Sequence, residues 1–166
     1  MSLIEFQNYP STETPLNAEN LNHNFNELAE KNIITASISS NYAIKTDSPD
    51  TYEMLPLSTY THIGDKLTLE NGKIVIGKNV SLVKISAKLS FNTLTAGLKW
   101  VTVFGKNDTA VLANPNQLSG RATVSCSDAL VSVKEGDTLE LRVLGLKDDV
   151  VRSGLAYTYL TVEVIN

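Results

Sequence analysis

The sequence predicts a mainly β protein, a jelly-roll β-sandwich of about eight or nine strands preceded by a short N-terminal α-helix. Three observations carry this. From about residue 51 to Asn166, apolar and polar residues alternate in runs that recur roughly every 8 to 12 residues, the spacing of sandwich strands. Between the runs stand turn signals, among them Asn71-Gly72 and Gly136 flanked by charged residues. Upstream, residues 14–30 carry their apolar side chains at helical spacing instead. The chain therefore divides into residues 1–50, an arm, helix and linker for attachment or trimerisation, and residues 51–166, a sandwich head.

The elements follow in order. Tyr9-Pro10 and Thr14-Pro15 each force an extended or turn conformation on the residue before proline, so the first 16 residues read as an ordered arm or a frayed tail. The helix starts with Asn17 as N-cap and Glu19 in its first turn, where a carboxylate suits the positive end of the helix dipole. Leu21, Phe25 and Leu28, at spacings of four and three, make a narrow seam with Asn32 at its next position. Helices below about 12 to 15 residues are marginal alone. Asn20, Asn22, Asn24 and Asn26 are poor helix formers, so this helix needs a partner surface, either another copy or the strand domain itself. Residues 33–58 are irregular and read as a linker with one short strand at 34–38 and a turn-rich connector at 46–50.

In the head, Leu67 and Leu69 precede Asn71-Gly72, and Ile74 and Ile76 follow it, which predicts a tight hairpin. In residues 82–91, Val83, Ile85, Ala87, Leu89 and Phe91 share one face, while Lys84, Ser86, Lys88 and Ser90 share the wet one. In residues 99–105, Trp100 and Phe104 oppose Val101 and Val103, so both faces call for burial and one must meet something outside its own sandwich. Residues 131–143 read as a strand, a reversal at Gly136, and a strand with Leu139, Leu141 and Val143 inward. The last strand aims Leu160, Val162 and Val164 inward and leaves Tyr157 and Tyr159 outward. Those two are either interface aromatics or scattered surface tyrosines.

Composition removes several function classes. At 42% hydrophobic and 19% charged residues, 166 positions suffice for one compact core. A net charge of -4 offers no basic surface for nucleic acid. The N-terminus lacks the features of a signal peptide, and no stretch approaches the roughly 20 apolar residues of a membrane span, so a soluble protein without membrane insertion is expected. Cys126, the lone cysteine, lies in an alternating run and reads as a small buried hydrophobe. His23 and His62 share no ligand-spaced partner, so no metal and no cofactor is expected. With no nucleophile elbow or phosphate-cradling loop either, the chain is not expected to be an enzyme. The polar loops at 105–120 and 145–154 supply the candidate receptor contacts: Asp108, Asn116, Asp148, Asp149 and Arg152.

A family resemblance rests on particular segments. Thr14-Pro-Leu-Asn-Ala-Glu-Asn-Leu-Asn22, continuing to Asn26-Glu-Leu28, resembles the N-terminal segment of tail, baseplate and fibre proteins of phages and prophages of Gram-positive bacteria. Lys84-Ile-Ser-Ala-Lys88, Lys134-Glu-Gly-Asp-Thr-Leu-Glu-Leu141 and Thr158-Tyr-Leu-Thr-Val-Glu163 resemble the trimeric jelly-roll heads of the tumour necrosis factor and complement globular-head type. The resemblance implies a homotrimeric virion protein, made in the host cytoplasm. Its N-terminal segment would contact other virion proteins, and its head a host cell-surface saccharide or protein. It places Trp100, Phe104, Tyr157 and Tyr159 as candidates for the threefold axis, alongside the Leu21, Phe25 and Leu28 seam. The chain departs from long fibres in having no stalk repeats, which fits a compact appendage, a baseplate or a head-decorating protein. A different class, a monomeric carbohydrate-binding sandwich with Trp100 as its platform, would satisfy the same strand pattern. Oligomeric state separates the two.

Overall fold

The computed structural model describes residues 31–45, 51–93, 98–118, 123–125, 129–144 and 149–166. Leu21, Phe25, Leu28, Asp148, Cys126 and the helix expected from Asn17 onward lie outside the described residues. Fourteen strand segments occur among those described. They are β1 (Ile33–Ser37), β2 (Tyr42–Ala43), β3 (Glu53–Met54), β4 (Thr59–Ile63), β5 (Leu67–Glu70), β6 (Lys73–Ile76) and β7 (Leu82–Thr93). Then follow β8 (Leu98–Lys106), β9 (Thr109–Leu118), β10 (Thr123–Ser125), β11 (Ala129–Ser132), β12 (Thr138–Leu144), β13 (Val150–Val151) and β14 (Tyr159–Val164).

Two antiparallel sheets result. In the first, β7 takes β14 and β13 along one edge and β11 and β10 along the other. Beyond β14 comes β1, and β4 ends the sheet. The second runs β5, β6, β12, β8, β9, with β3 continuing the place of β6 against β12. Several segments are thus interrupted lengths of one ladder position, which is why they outnumber the eight or nine strands expected. After β7 the chain alternates between sheets: β8 and β9 lie in the second, β10 and β11 in the first, β12 in the second, β13 and β14 in the first. This is a jelly roll.

The inward face of β7 is realised as expected, with Val83, Ile85, Ala87, Leu89 and Phe91 buried in the core, whereas Ser90, expected on the wet face, is buried as well. The apolar residues of the inward face meet Leu139, Leu141 and Val143 of β12 and Ile74 and Ile76 of β6 in one cluster. The Asn71-Gly72 hairpin is present, with φ of 50° and 79° at the two turn residues. Gly136, at φ 82°, turns the chain between β11 and β12, which lie in different sheets, so this reversal crosses the sandwich.

Two expectations are corrected. The sandwich takes strands from the 33–44 stretch as well as from 51–166: β1 lies between β14 and β4, with Ile34, Ala36, Ile38 and Ile44 fully buried. Most of the supposed polar loop 105–120 is strand β9, joined to β8 by Asn107 and Asp108, both at positive φ. Pro115 is compatible with that strand because β9 ends its sheet, where a missing N–H breaks no ladder on the outer side.

Candidate interaction surfaces

The outer face of the first sheet is built by register. With Ile34, Val162 and Ile85 committed to the core, their neighbours point outward. One row crosses all five ladder positions: Leu130, Lys84, Glu163, Ile33 and Ile63. The next holds Ser86, Thr161, Thr35 and Thr61, with the Thr35 and Thr161 hydroxyls hydrogen-bonded at 2.9 Å. Charged residues hold the middle of the first row and exposed aliphatics its ends, Leu130 at 65% and Ile63 at 59%.

β4 is unlike the other strands of the sandwich. All five of its residues are exposed, although it pairs with β1 over its whole length. Tyr60 and His62 stand opposite Ala36 and Ile34, yet overhang the core, their rings 5.5 Å apart. The strand carries no Lys, Glu, Asp or Pro, the usual protections of an exposed edge. Beside it Ile33, Thr35, Thr61, His62 and Ile63 line a shallow hollow of about 240 Å³.

The two ends of this sheet differ. At the Ile33 end the chain enters. Asn32 is buried, its Oδ1 accepting the backbone N–H groups of Asp65 and Lys66 at 2.9 Å each, and its carbonyl accepts from Val164. Asn32 therefore serves the 64–66 turn and is not free to continue the Leu21, Phe25 and Leu28 seam. The C-terminus closes here too, with Ser81 bonded to both the backbone and the side chain of Asn166. Four residues along β1, about 13 Å away, lies the Ser37 end, where the turn of residues 152–158 leads into β14. Arg152 is stacked on Tyr157 there, its guanidinium carbon 3.6 Å from the ring centre.

The second sheet carries an ionic network. Glu140 is fully buried on its outer side; its carboxylate accepts from Arg142 and from the Asp108 N–H, with the Lys73 ammonium 4.0 Å away. Asp108 in turn binds Lys73 at 2.6 Å and Arg142 at 3.3 Å. The hydrogen bond from Lys73 is the main reason the Asp108 carboxyl is held below its usual range. Nearby, buried Asp137 accepts from Asn107, Lys106 and the Lys134 N–H. This network fixes the β8–β9 turn to β6 and β12. Among the described residues, no group of three or more His, Cys, Asp or Glu could hold a metal ion.

The residues singled out from sequence are thus dispersed. Trp100 and Phe104 lie on β8 in the second sheet, Tyr159 begins β14 in the first, and Tyr157 precedes β14 in the turn. Trp100 and Phe104 therefore stand in a different sheet from Tyr159. Of the receptor candidates, Asp108 sits in the network near the Ile33 end, Asn116 pairs with Trp100 on edge strand β9, and Asp149 is buried. Arg152 stands on the 152–158 surface turn. Sequence reasoning missed Lys88, whose ammonium donates to the Ala156 carbonyl at 3.1 Å from 68 positions away. It also missed β4, whose alternation is weak.

No family model matches the chain, and no curated protein matches it. Solved structures do. Murine APRIL at pH 5.0 superposes with a TM-score of 0.66 at 7% identity, covering 82% of this chain and 100% of that one. At pH 8.0 the same protein gives 0.63 at 11%, with the same coverage. Eiger, a TNF from S. frugiperda, gives 0.58 at 12%, covering 82% of this chain and 92% of its own. The chain has a jelly-roll fold of the tumour necrosis factor type. At these identities the likeness is one of fold.

Proposed function

We propose that this chain is a self-associating, non-catalytic binding head, a homotrimer built on the outer face of the first sheet. Its role would be adsorption to a host cell surface as part of a phage or prophage particle. The observation that carries the assembly is β4, an edge strand exposed along its full length and continuous with a face bordered by Ile33, Ile63 and Leu130. Such an edge is covered in a native assembly or becomes a site of uncontrolled pairing. The threefold stoichiometry is supported by the jelly-roll fold and by the resemblance of the strand segments to trimeric heads. Attachment to a virion is supported by the resemblance of residues 14–28 to phage tail and baseplate segments.

The polarity of the head agrees with this. Chain entry and C-terminus share the Ile33 end, so an anchored N-terminal segment leaves the 152–158 turn at the distal end. Copies around one axis would present several such turns together, multiplying weak contacts into firm adsorption. The test is adsorption of fluorescently labelled protein to a panel of Gram-positive cells, competed with unlabelled protein. Saturable, competed binding to particular strains is expected. Its absence from every strain would reject the adsorption role.

A further inference from the structure

We infer that the distal turn is an anion cradle, in which Arg152, Lys88 and Tyr157 take a carboxylate- or phosphate-bearing saccharide; this rests on the adsorption role proposed above. The first observation is preorganisation. Arg152 N–H bonds the Ser90 carbonyl at 2.8 Å, and Gly154 N–H bonds that of Ile38 at 3.1 Å. Ser153 N–H bonds Asn41 Oδ1 at 2.9 Å. Thr158, fully buried, closes the turn: its N–H returns to the Gly154 carbonyl, its carbonyl accepts from Ser37 Oγ, and its hydroxyl accepts from Ser90 N–H. A surface turn tied down this thoroughly presents its side chains in one arrangement.

The second observation is what it presents. The Arg152 guanidinium carbon lies over Tyr157, 3.6 Å from the ring centre, a contact that restrains the guanidinium, and Tyr157 remains 40% exposed. Lys88 reaches the adjacent residue, Ala156, from the neighbouring strand. Among the described residues, neither cation is paired with a carboxylate, on a protein whose net charge is -4. The ion-paired Lys73, Lys106 and Arg142 serve the network on the second sheet. The third observation is access. Gly154 sits at φ 96°, and nothing lies within 4 Å of where its Cβ would be, so a ligand can approach the backbone there. A planar guanidinium and an ammonium flanking a half-exposed phenol ring suit a sugar ring bearing a negative group: the charges take the anion and the phenol ring packs on the sugar.

The experiment is calorimetric titration of the full chain with three tetrasaccharides: glucuronate, phosphorylated glucose and neutral glucose. One acidic probe is expected to bind at least about tenfold more tightly than the neutral one, and its affinity should fall as salt is raised. Which acidic probe binds distinguishes carboxylate from phosphate. Arg152→Gln and Lys88→Gln should each weaken it by about tenfold, the loss expected for one charge-assisted contact. Lys78→Gln, exposed in the turn between β6 and β7 at the opposite end, should leave it unchanged. Because Arg152→Gln also removes the contact with Tyr157, Lys88→Gln is the decisive variant, since it leaves the turn's backbone–backbone hydrogen bonds in place and alters only the contact to the Ala156 carbonyl. Equal affinity for acidic and neutral probes, or wild-type affinity in the double variant, would overturn the cradle. Cell adsorption that persists in the double variant, with neither acidic probe bound, would reject the anion assignment and leave the adsorption role standing.

Discussion

Gly105 faces Glu140 across the β8–β12 ladder, and a Cβ at position 105 would stand 2.4 Å from Glu140 Cγ. The glycine is the space that lets a fully buried carboxylate lie against the sheet and collect Arg142 and the Asp108 N–H. Gly105→Ala should cost about 2 kcal/mol through overpacking. The cost should be smaller in a Glu140→Ala background, because the two residues share one space. Chemical denaturation of the two single variants and the double variant measures this; fully additive losses would contradict the contact.

Asn32 is the joint between the N-terminal segment and the head. Replacing it with Ala leaves the Asp65 and Lys66 N–H groups without their acceptor, and a loss of about 2 kcal/mol is expected. Hydrogen exchange should show the change concentrated at residues 64–66, and uniform loosening of the whole sheet would count against a local role.

Asp137 predicts acid sensitivity. Burial raises its pKa, but the hydrogen bonds from Asn107, Lys106 and the Lys134 N–H outweigh this, so the folded-state value lies below the ordinary one. A depressed pKa contributes stability that is present above about pH 4 and is lost as pH falls through the folded value. Asp137→Asn should therefore flatten the fall of the denaturation midpoint below about pH 4. Asp108, also lowered, keeps part of that slope in the variant.

Tyr42 predicts the opposite limb. Burial, the hydrogen bond to Glu53 at 2.8 Å and the Glu53 charge push its hydroxyl up to about 12. A raised pKa contributes stability present below the unfolded value near 10 and lost as pH rises toward 12. Tyr42→Phe should remove that alkaline decline, which a midpoint series across the same window would show.

How far the sequence reveals this molecule varies by element. β7 is legible because the alternation from Val83 to Phe91 leaves one assignment of faces. The Asn71-Gly72 hairpin was legible because glycine announces the positive φ. Asn107-Asp108 makes a similar reversal without a glycine, and so β9, with Asn114-Pro115-Asn116 inside it, passed for a loop. β1 looks in sequence like one short strand in a linker because its five residues gain their meaning from two neighbours distant in sequence, β14 and β4. The surfaces were least legible. Alternation marks Tyr159 as outward and says nothing about which sheet holds Trp100, and no local pattern brings Lys88 to Ala156.

The solution mass, measured by light scattering on the full chain and on Ile63→Glu, is the first test of the trimer. A mass of three chains is expected for the native protein and a shift toward one for the variant, whose charge lies on the exposed edge of the first sheet. A native protein that is monomeric at every concentration would contradict the trimer, and would favour a monomeric carbohydrate-binding sandwich instead.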